Sequence, residues 1–419
     1  MHNPNILSFI EVKSKTTEQK IEWKFNLSVD ITQEFMNAVF NNSKYKLLDG
    51  TMLDANYVFT EIAQRAHHCG DPGIIFMERF NRENPTPLFG NYVSVAPCAE
   101  VGLISGETCQ FGYINLGKFV KRNGTENKID YNELKHAVMI LTRALDNSLE
   151  ISIPNYTYPK SKYVMSGRRK IGVGICGFAD MLSIMHIPYD SNEAAIIAKD
   201  VVSWINYVSK KESIELSIKR GPFKAFFMST YISNPGFIDE KYGELSTGTV
   251  TTKMWKELAE NIRKNGIRNV TTVSLPPTGR SSLTIDASTG IEPFFALVDN
   301  HGNINHYLMC ELSSSNIVNT EILDRIKADG KLSNISAIPE KIKLSFKTAL
   351  EISPKAHLKI QSELQKVVDD AISKTINLPK ETTVEDIENI YKEAYICGLK
   401  GITIFRLDSV IKQPKKVAK

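Results

Sequence analysis

Apolar and polar positions along this chain follow two rhythms. In "YNELKHAVMILTRALDNSLE" (131–150) the apolar residues fall at helical spacing for roughly five turns. "NEAAIIAKDVVSWINYVSKKESIELSIKRG" (192–221) predicts a second long helix ended by Gly221. "DITQEFMNAVF" (30–40) predicts an amphipathic helix with Asp30 as N-cap, following the extended run "KFNLSV". Near the end, "HLKIQSELQKVVDDAISKTI" (357–376) predicts one helix. "TVEDIENIYKEAYICGLKG" (383–401) predicts another, with a capping pattern at its start and Gly at its end. Short apolar or β-branched runs predict buried strands: "GIIFMERF" (73–80) after the turn "GDPG", "NVTTVSL" (269–275), and a closing "ITIF" (402–405). Helices alternating with short strands predict an α/β architecture. No linker or repeat interrupts them, so 1–419 reads as one domain ending in a solvated basic tail, 411–419.

Composition narrows the function classes. Hydrophobic residues make up 42% of the 419 and charged residues 23%, ordinary globular values. A net charge of +4 is too small to argue for nucleic acid or a membrane surface as partner. No run approaches the ~18 apolar residues of a bilayer span. The N-terminus "MHNPNILSFIEVKSK" lacks the charged and long apolar regions of a signal peptide. Six scattered cysteines, with no CxxC pair, point to a reducing cytoplasm. "HHC" at 67–69 is too tight for a tetrahedral zinc site, so no metal is expected.

Three motifs carry candidate chemistry. "GVGICG" (172–177) spells the dinucleotide fingerprint GxGxxG, which would make the chain a nicotinamide dehydrogenase. The stretch before it, "SGRRK", leaves little apolar strand, and a helix follows where a second strand should carry an acidic residue. Close packing of strand and helix is the preferred reading of these glycines. "PPTGRSS" (276–282) follows a strand. Gly279 allows a tight turn, Thr278, Ser281 and Ser282 offer hydroxyls, and Arg280 offers a charge-assisted bond to phosphate oxygens. An ordinary strand–helix turn with a serine cap explains the same residues equally well.

The third motif is "APCAEVGLISGETC" (96–109). Cys98 and Glu100, at i and i+2, share a face of an extended segment, with Pro97 stiffening the approach. A neighbouring carboxylate disfavours thiolate, which argues against a Cys–His nucleophile. A neutral thiol beside a general base suits hydrogen-atom transfer with proton abstraction. Cys98 and Cys109 as small buried hydrophobes remain the alternative.

Seven segments together resemble the large catalytic subunit of ribonucleotide reductase, in the manner of its adenosylcobalamin-dependent (class II) branch. They are "HNPNILSFIEVKSK", "FNLSVDITQEFMNAV", "GDPGIIFMERFNRENP", "APCAEVGLISGETCQFGYINLGKFV", "RRKIGVGICGFADMLSIMHIPYDS", "GIRNVTTVSLPPTGRSSLTIDASTGIEPFFAL" and "QKVVDDAISKTINLPKETTVEDIENIYKEAYICGLKGITIFR", in the family's order. The resemblance implies a ten-stranded α/β barrel with a central finger loop, of which this chain holds the later strands. It implies a thiyl radical at Cys98 that takes the 3′ hydrogen of a ribonucleoside di- or triphosphate. Glu100 would remove the 3′-OH proton, and Cys109 would be half of the reducing pair. Pro277, Thr278, Gly279, Arg280, Ser281 and Ser282 would bind the substrate phosphates.

Three departures accompany the resemblance. Ala96 stands where the family has an Asn that holds the sugar hydroxyls. The thiol that should partner Cys109 belongs to the early strands, which implies a separate chain carrying the N-terminal half. The C-terminal cysteine pair is absent, so re-reduction implies a thiol reductant such as thioredoxin or a tail on another chain. Phe405, where class I enzymes have a tyrosine pair, favours adenosylcobalamin as cofactor. A non-catalytic nucleotide-binding or assembly relative is the competing reading.

Overall fold

Side-chain alternation along a few short strands sets the architecture. The computed structural model describes residues 1–18, 26–123, 126–299 and 301–409, so the basic tail and positions 24–25 of the first extended run lie outside it. The strands that matter are β1 (Ser28–Asp30), β2 (Gly73–Ile75), β3 (Ser94–Val95), β4 (Gly102–Leu103), β5 (Phe111–Asn115), β6 (Gly172–Cys176), β7 (Thr375–Leu378) and β8 (Gly401–Arg406). β1 and β2 are parallel, as are β5 and β6, and β7 and β8; β8 meets β2 antiparallel through Gly401↔Ile75 and Ile402↔Ile74. Bridges Val173↔Val273 and Leu275↔Ile372, both parallel, join β6 through 273–275 to the segment entering β7. The resulting row runs β1, β2, β8, β7, 273–275, β6, β5. It is two parallel blocks joined antiparallel at β2 and β8. Among the described residues it does not close: β1 and β5 each lack a strand partner on one side.

Successive side chains point to opposite faces of this row. One face is apolar. Val29, Ile74, Ile376, Leu378, Ile402 and Ile404 are buried with Val58, Phe59, Ile62 and Tyr391. Ile114, Val173, Ile175, Leu275 and Ile372 are buried with Leu134, Val138, Val201, Ile205 and Leu364. Each such side chain contributes about 1.5–3 kcal/mol by leaving water. The alternate positions Ser28, Gly73, Thr375, Asn377, Thr403 and Phe405 line a cavity on the other face. Period two therefore separates the packed layer from the working surface.

The long helices form as the spacing predicts: Tyr131–Ser152, and Asn192–Arg220 ended by Gly221 at φ +81°. Thr383 caps Val384–Ile396 with a capping box to Asp386. Four expectations change. "NVTTVSL" (269–275) forms no regular strand and pairs only through the bridges at Val273 and Leu275. The cap of helix Gln33–Phe40 is Thr32, because Asp30 closes β1 and accepts from the Met77 N–H at 3.0 Å. "GIIFMERF" gives only three strand residues before helix Met77–Arg82. The helix predicted over 357–376 is Pro354–Gln365; beyond it, Asp369 and Asp370 turn inward and the chain becomes strand.

"GVGICG" is strand and turn. Gly172 and Gly174 face inward, and an added Cβ would meet the Phe111 ring at 2.5 Å and Pro276 at 2.8 Å respectively. Gly177, at φ +69°, makes the left-handed turn into helix Phe178–Ile184.

Candidate active site

The finger loop is a hairpin whose tip carries the thiol. β3 and β4 pair antiparallel, the Ala96 N–H donates to Val101 O at 2.9 Å, and the Ala99 N–H donates to Ala96 O at 2.8 Å. Ala99 takes φ +61°, a left-handed conformation costly for alanine that turns the chain immediately after Cys98. Ala96 is buried at the root of this turn, its backbone closing it on both sides. The loop is held from below by the Ala371 N–H, which donates to Glu100 O at 3.0 Å.

Cys98 and Ala99 line a cavity of about 560 Å³. Burial and then Glu100 push the Cys98 thiol up to about 11, against a hydrogen bond with Ser373. The group is a neutral thiol at pH 7. Glu100 is 5% exposed, and its Oε2 has no hydrogen-bond partner among the described residues. Burial raises its pKa, backbone N–H groups of Glu100 and Cys98 oppose the rise, and Asp370 adds to it. Cys109 is likewise pushed up to about 11, by burial first and Glu100 second. Cys98 and Cys109 thus each lie within electrostatic reach of Glu100, Cys98 at the loop tip and Cys109 just before β5. Cys109 is a free thiol, as are the other five cysteines; Cys176, buried at the end of β6, sits opposite Asn115, far along the strand from Cys109.

The 276–282 turn divides its residues. Pro277 and Gly279 line the cavity with Cys98. Thr278, at φ +56°, accepts from the Gly290 N–H at 2.8 Å, and the Ser282 hydroxyl donates to Gly279 O at 3.0 Å; both side chains are buried. Arg280 and Ser281 are exposed beside it at the start of helix Gly279–Thr284.

Several site groups escape a reading of the sequence. Ser373, Thr375 and Asn377 line the cavity, with Glu292 held between the Lys374 ammonium and the Thr375 N–H, the latter at 2.8 Å. Tyr113 reaches the thiols from β5: after burial, Glu100, Cys109, Cys176 and Cys98 all raise its phenol. Beneath the finger lies a buried ionic layer. Arg168 meets Glu107 at 2.7 Å, Lys170 meets Asp370 at 3.2 Å, and Lys210 meets Asp369 at 2.5 Å. The cue available was "RRK" directly before a strand. Three cations there, all buried, require carboxylates brought from elsewhere.

A profile of the family described as "Ribonucleotide reductase, barrel domain" matches residues 1–405. The chain is 30% identical over 421 residues to a vitamin B12-dependent ribonucleoside-diphosphate reductase of Mycobacterium tuberculosis, covering 97% of this chain and 55% of that protein. It is 33% identical over 419 residues to the Thermoplasma acidophilum protein of the same description, covering 97% of this chain and 50% of the relative. The chain therefore spans about half the length of the curated relatives it matches. Its fold superposes on the class Id ribonucleotide reductase alpha subunit of Actinobacillus ureae with a TM-score of 0.72 at 20% identity, covering 92% of this chain and 65% of that one.

Proposed function

We propose that this chain, which belongs to the ribonucleotide reductase barrel family, carries the radical-bearing part of an enzyme that reduces ribonucleotides to 2′-deoxyribonucleotides. The observation that carries the reading is the pairing at the finger tip. A neutral, half-buried thiol faces a cavity, and beside it is a buried carboxyl with one unpartnered oxygen. A ribonucleoside di- or triphosphate enters the cavity with its ribose against Cys98 and its phosphates toward Pro277 and Gly279, where Arg280 and Ser281 are free to turn onto them. As a thiyl radical the Cys98 sulfur takes the 3′ hydrogen atom, Glu100 accepts the 3′-OH proton on Oε2, and the 2′-OH departs as water with a proton from the reducing thiol pair. Cys109 supplies one reducing equivalent and ends in a disulfide with a cysteine of the partner. With Ala96 buried in the turn, the sugar hydroxyls are met by Ser373 and Asn377.

The wall beyond Cys98 fits adenosylcobalamin, the cofactor the relatives' descriptions name as vitamin B12. Leu27 and Phe405 are apolar, and Gly70 beside them adds no side chain to that face. When bound, the cofactor supplies the homolytic chemistry that leaves the unpaired electron on Cys98. The protein's share is to orient the sugar and exclude water. A second polypeptide provides the N-terminal strands, and a dithiol such as thioredoxin re-reduces the pair.

The test is co-expression with a chain bearing the early strands, followed by assay of deoxyribonucleotide formation with adenosylcobalamin, nucleotide and dithiol. Turnover by the purified complex supports the reading. A stable complex that binds nucleotide without turnover makes the chain a non-catalytic relative, the reading that Ala96 favours.

A further inference from the structure

One buried cation under the finger has no place in the chemistry above. Lys170 is 1% exposed, and its Nζ donates to Gly102 O on β4 at 2.6 Å and to Tyr92 Oη at 3.2 Å. It lies 3.2 Å from Asp370 Oδ1 and 3.7 Å from Glu107 Oε2. Asp370 directly precedes Ala371, whose N–H anchors Glu100 O. β6 pairs with β5 at Gly172↔Phe111, and the Gly172 N–H donates to Gln110 O at 2.8 Å. Carried back two residues, this parallel register sets Lys170 beside Cys109. The neighbouring carboxylates have further partners: Arg168 holds Glu107 at 2.7 Å, and the Thr271 hydroxyl donates to Asp370 at 3.0 Å.

We propose that Lys170 is the positioning residue of Cys109: its ammonium fixes the base of the finger through Gly102 and stabilises the thiolate that Cys109 becomes when its disulfide is reduced. The proposal rests on Cys109 being half of a redox pair. In that step a thiolate of the external dithiol attacks the sulfur bonded to Cys109. A new S–S bond forms, the old one breaks, and its electron pair leaves on the Cys109 sulfur, which then takes a proton. The second thiol of the dithiol, as thiolate, attacks the mixed disulfide, freeing the other cysteine and leaving the dithiol oxidised. The surroundings otherwise oppose the thiolate: burial, then Glu100, Asp370 and Glu107 all push Cys109 up, and the Tyr113 phenol faces it from β5. Lys170 pulls the other way.

The measurement is iodoacetamide alkylation of the full chain at pH 8.5, resolved by residue with mass spectrometry. The variants are Lys170→Gln, which keeps a donor for Gly102 without the charge, and Lys170→Arg, which keeps the charge. Loss of the cation raises the Cys109 pKa, so Gln slows Cys109 alkylation about tenfold while Arg retains most of the rate; Cys98 serves as internal reference. Wild-type reactivity of Cys109 in the Gln variant overturns the proposal and leaves Lys170 a hydrogen-bonding tether. The readout needs no cofactor, nucleotide or partner. A chain without reductase activity whose Cys109 still depends on Lys170 keeps this inference and removes the one it rests on.

Discussion

At the scale of single residues, the pair Cys98 and Glu100 is defined by which protons they hold. Raised to about 11, the thiol keeps its hydrogen at pH 7, as hydrogen-atom transfer requires. Cys98→Ser replaces the S–H bond by a much stronger O–H bond; deoxyribonucleotide formation by the assembled enzyme should vanish while nucleotide binding, followed by calorimetry, stays within about threefold of wild type, a change under 1 kcal/mol. Glu100 gives a prediction whose sign is unusual for a carboxylate. Its pKa is raised by burial and by Asp370, so the folded chain binds that proton more tightly than the unfolded chain does. Stability from this group is full below the unfolded pKa and falls as pH climbs through the folded one. Glu100→Gln removes the penalty: the thermal midpoint at pH 8 should rise while turnover drops about 10²–10⁴-fold. A variant that is less stable at pH 8 would contradict a net burial penalty on this carboxylate. Both residues were legible in the sequence because the i, i+2 spacing is local. Ser373, Asn377 and Lys170 were not, since strands far away in sequence bring them to the loop.

At the scale of elements, buried charges fix the segments that periodicity misplaced. "VVDDAISK" continues a helical pattern, yet Asp369 accepts from the Thr272 N–H at 2.7 Å, the Val273 N–H at 3.0 Å and the Tyr242 hydroxyl at 2.6 Å. Lys210 meets both its oxygens, at 2.5 and 2.6 Å. These bonds pin residues 369–373 against 272–275 and turn the predicted helix into a strand; no hydrophobic pattern encodes that. Burial alone would raise Asp369, but Lys210 and Lys241 outweigh it and hold the carboxyl well below the usual range. The stability it contributes is present above the unfolded pKa and lost as pH falls through the folded one. Asp369→Ala leaves Lys210 buried without its counter-ion and should cost about 3–5 kcal/mol in urea unfolding at pH 7; a cost below 1 kcal/mol would show that water replaces the carboxylate. The glycine motif was expected to pack strand against helix; Gly172 and Gly174 instead make room for Phe111 of β5 and for Ser274 and Pro276. Gly172→Ala should destabilise by about 1–3 kcal/mol through overpacking against Phe111 and leave no nicotinamide binding to lose, which titration with NADH checks.

At the scale of the molecule, the row of strands matters more than any one of them. The family resemblance implied a barrel, and the two antiparallel-joined blocks with one apolar and one cavity-lining face agree with the barrel family's profile. Neither β1 nor β5 has a strand partner on its outer side among the described residues. Unpaired N–H and C=O groups on such edges invite another strand. Beside β5, helix Tyr131–Ser152 exposes Ile140 and Ile151, 68% and 72% accessible, while Leu141 packs onto Gly112 of that strand. Edge and apolar helix face together describe a surface suited to further strands and their covering helix. Hydrogen exchange tests this directly. In the complex with a polypeptide carrying the early strands, amides of Phe111–Asn115 and Ser28–Asp30 should exchange at least tenfold more slowly than in the chain alone, a protection gain of about 1.4 kcal/mol. Amides of Gly401–Arg406, a strand already flanked by β2 and β7, should change little. If a tight complex forms and the protection falls elsewhere, the partner does not extend the row. The cavity at Cys98 would then have to be closed by some other surface than the one these two edges offer.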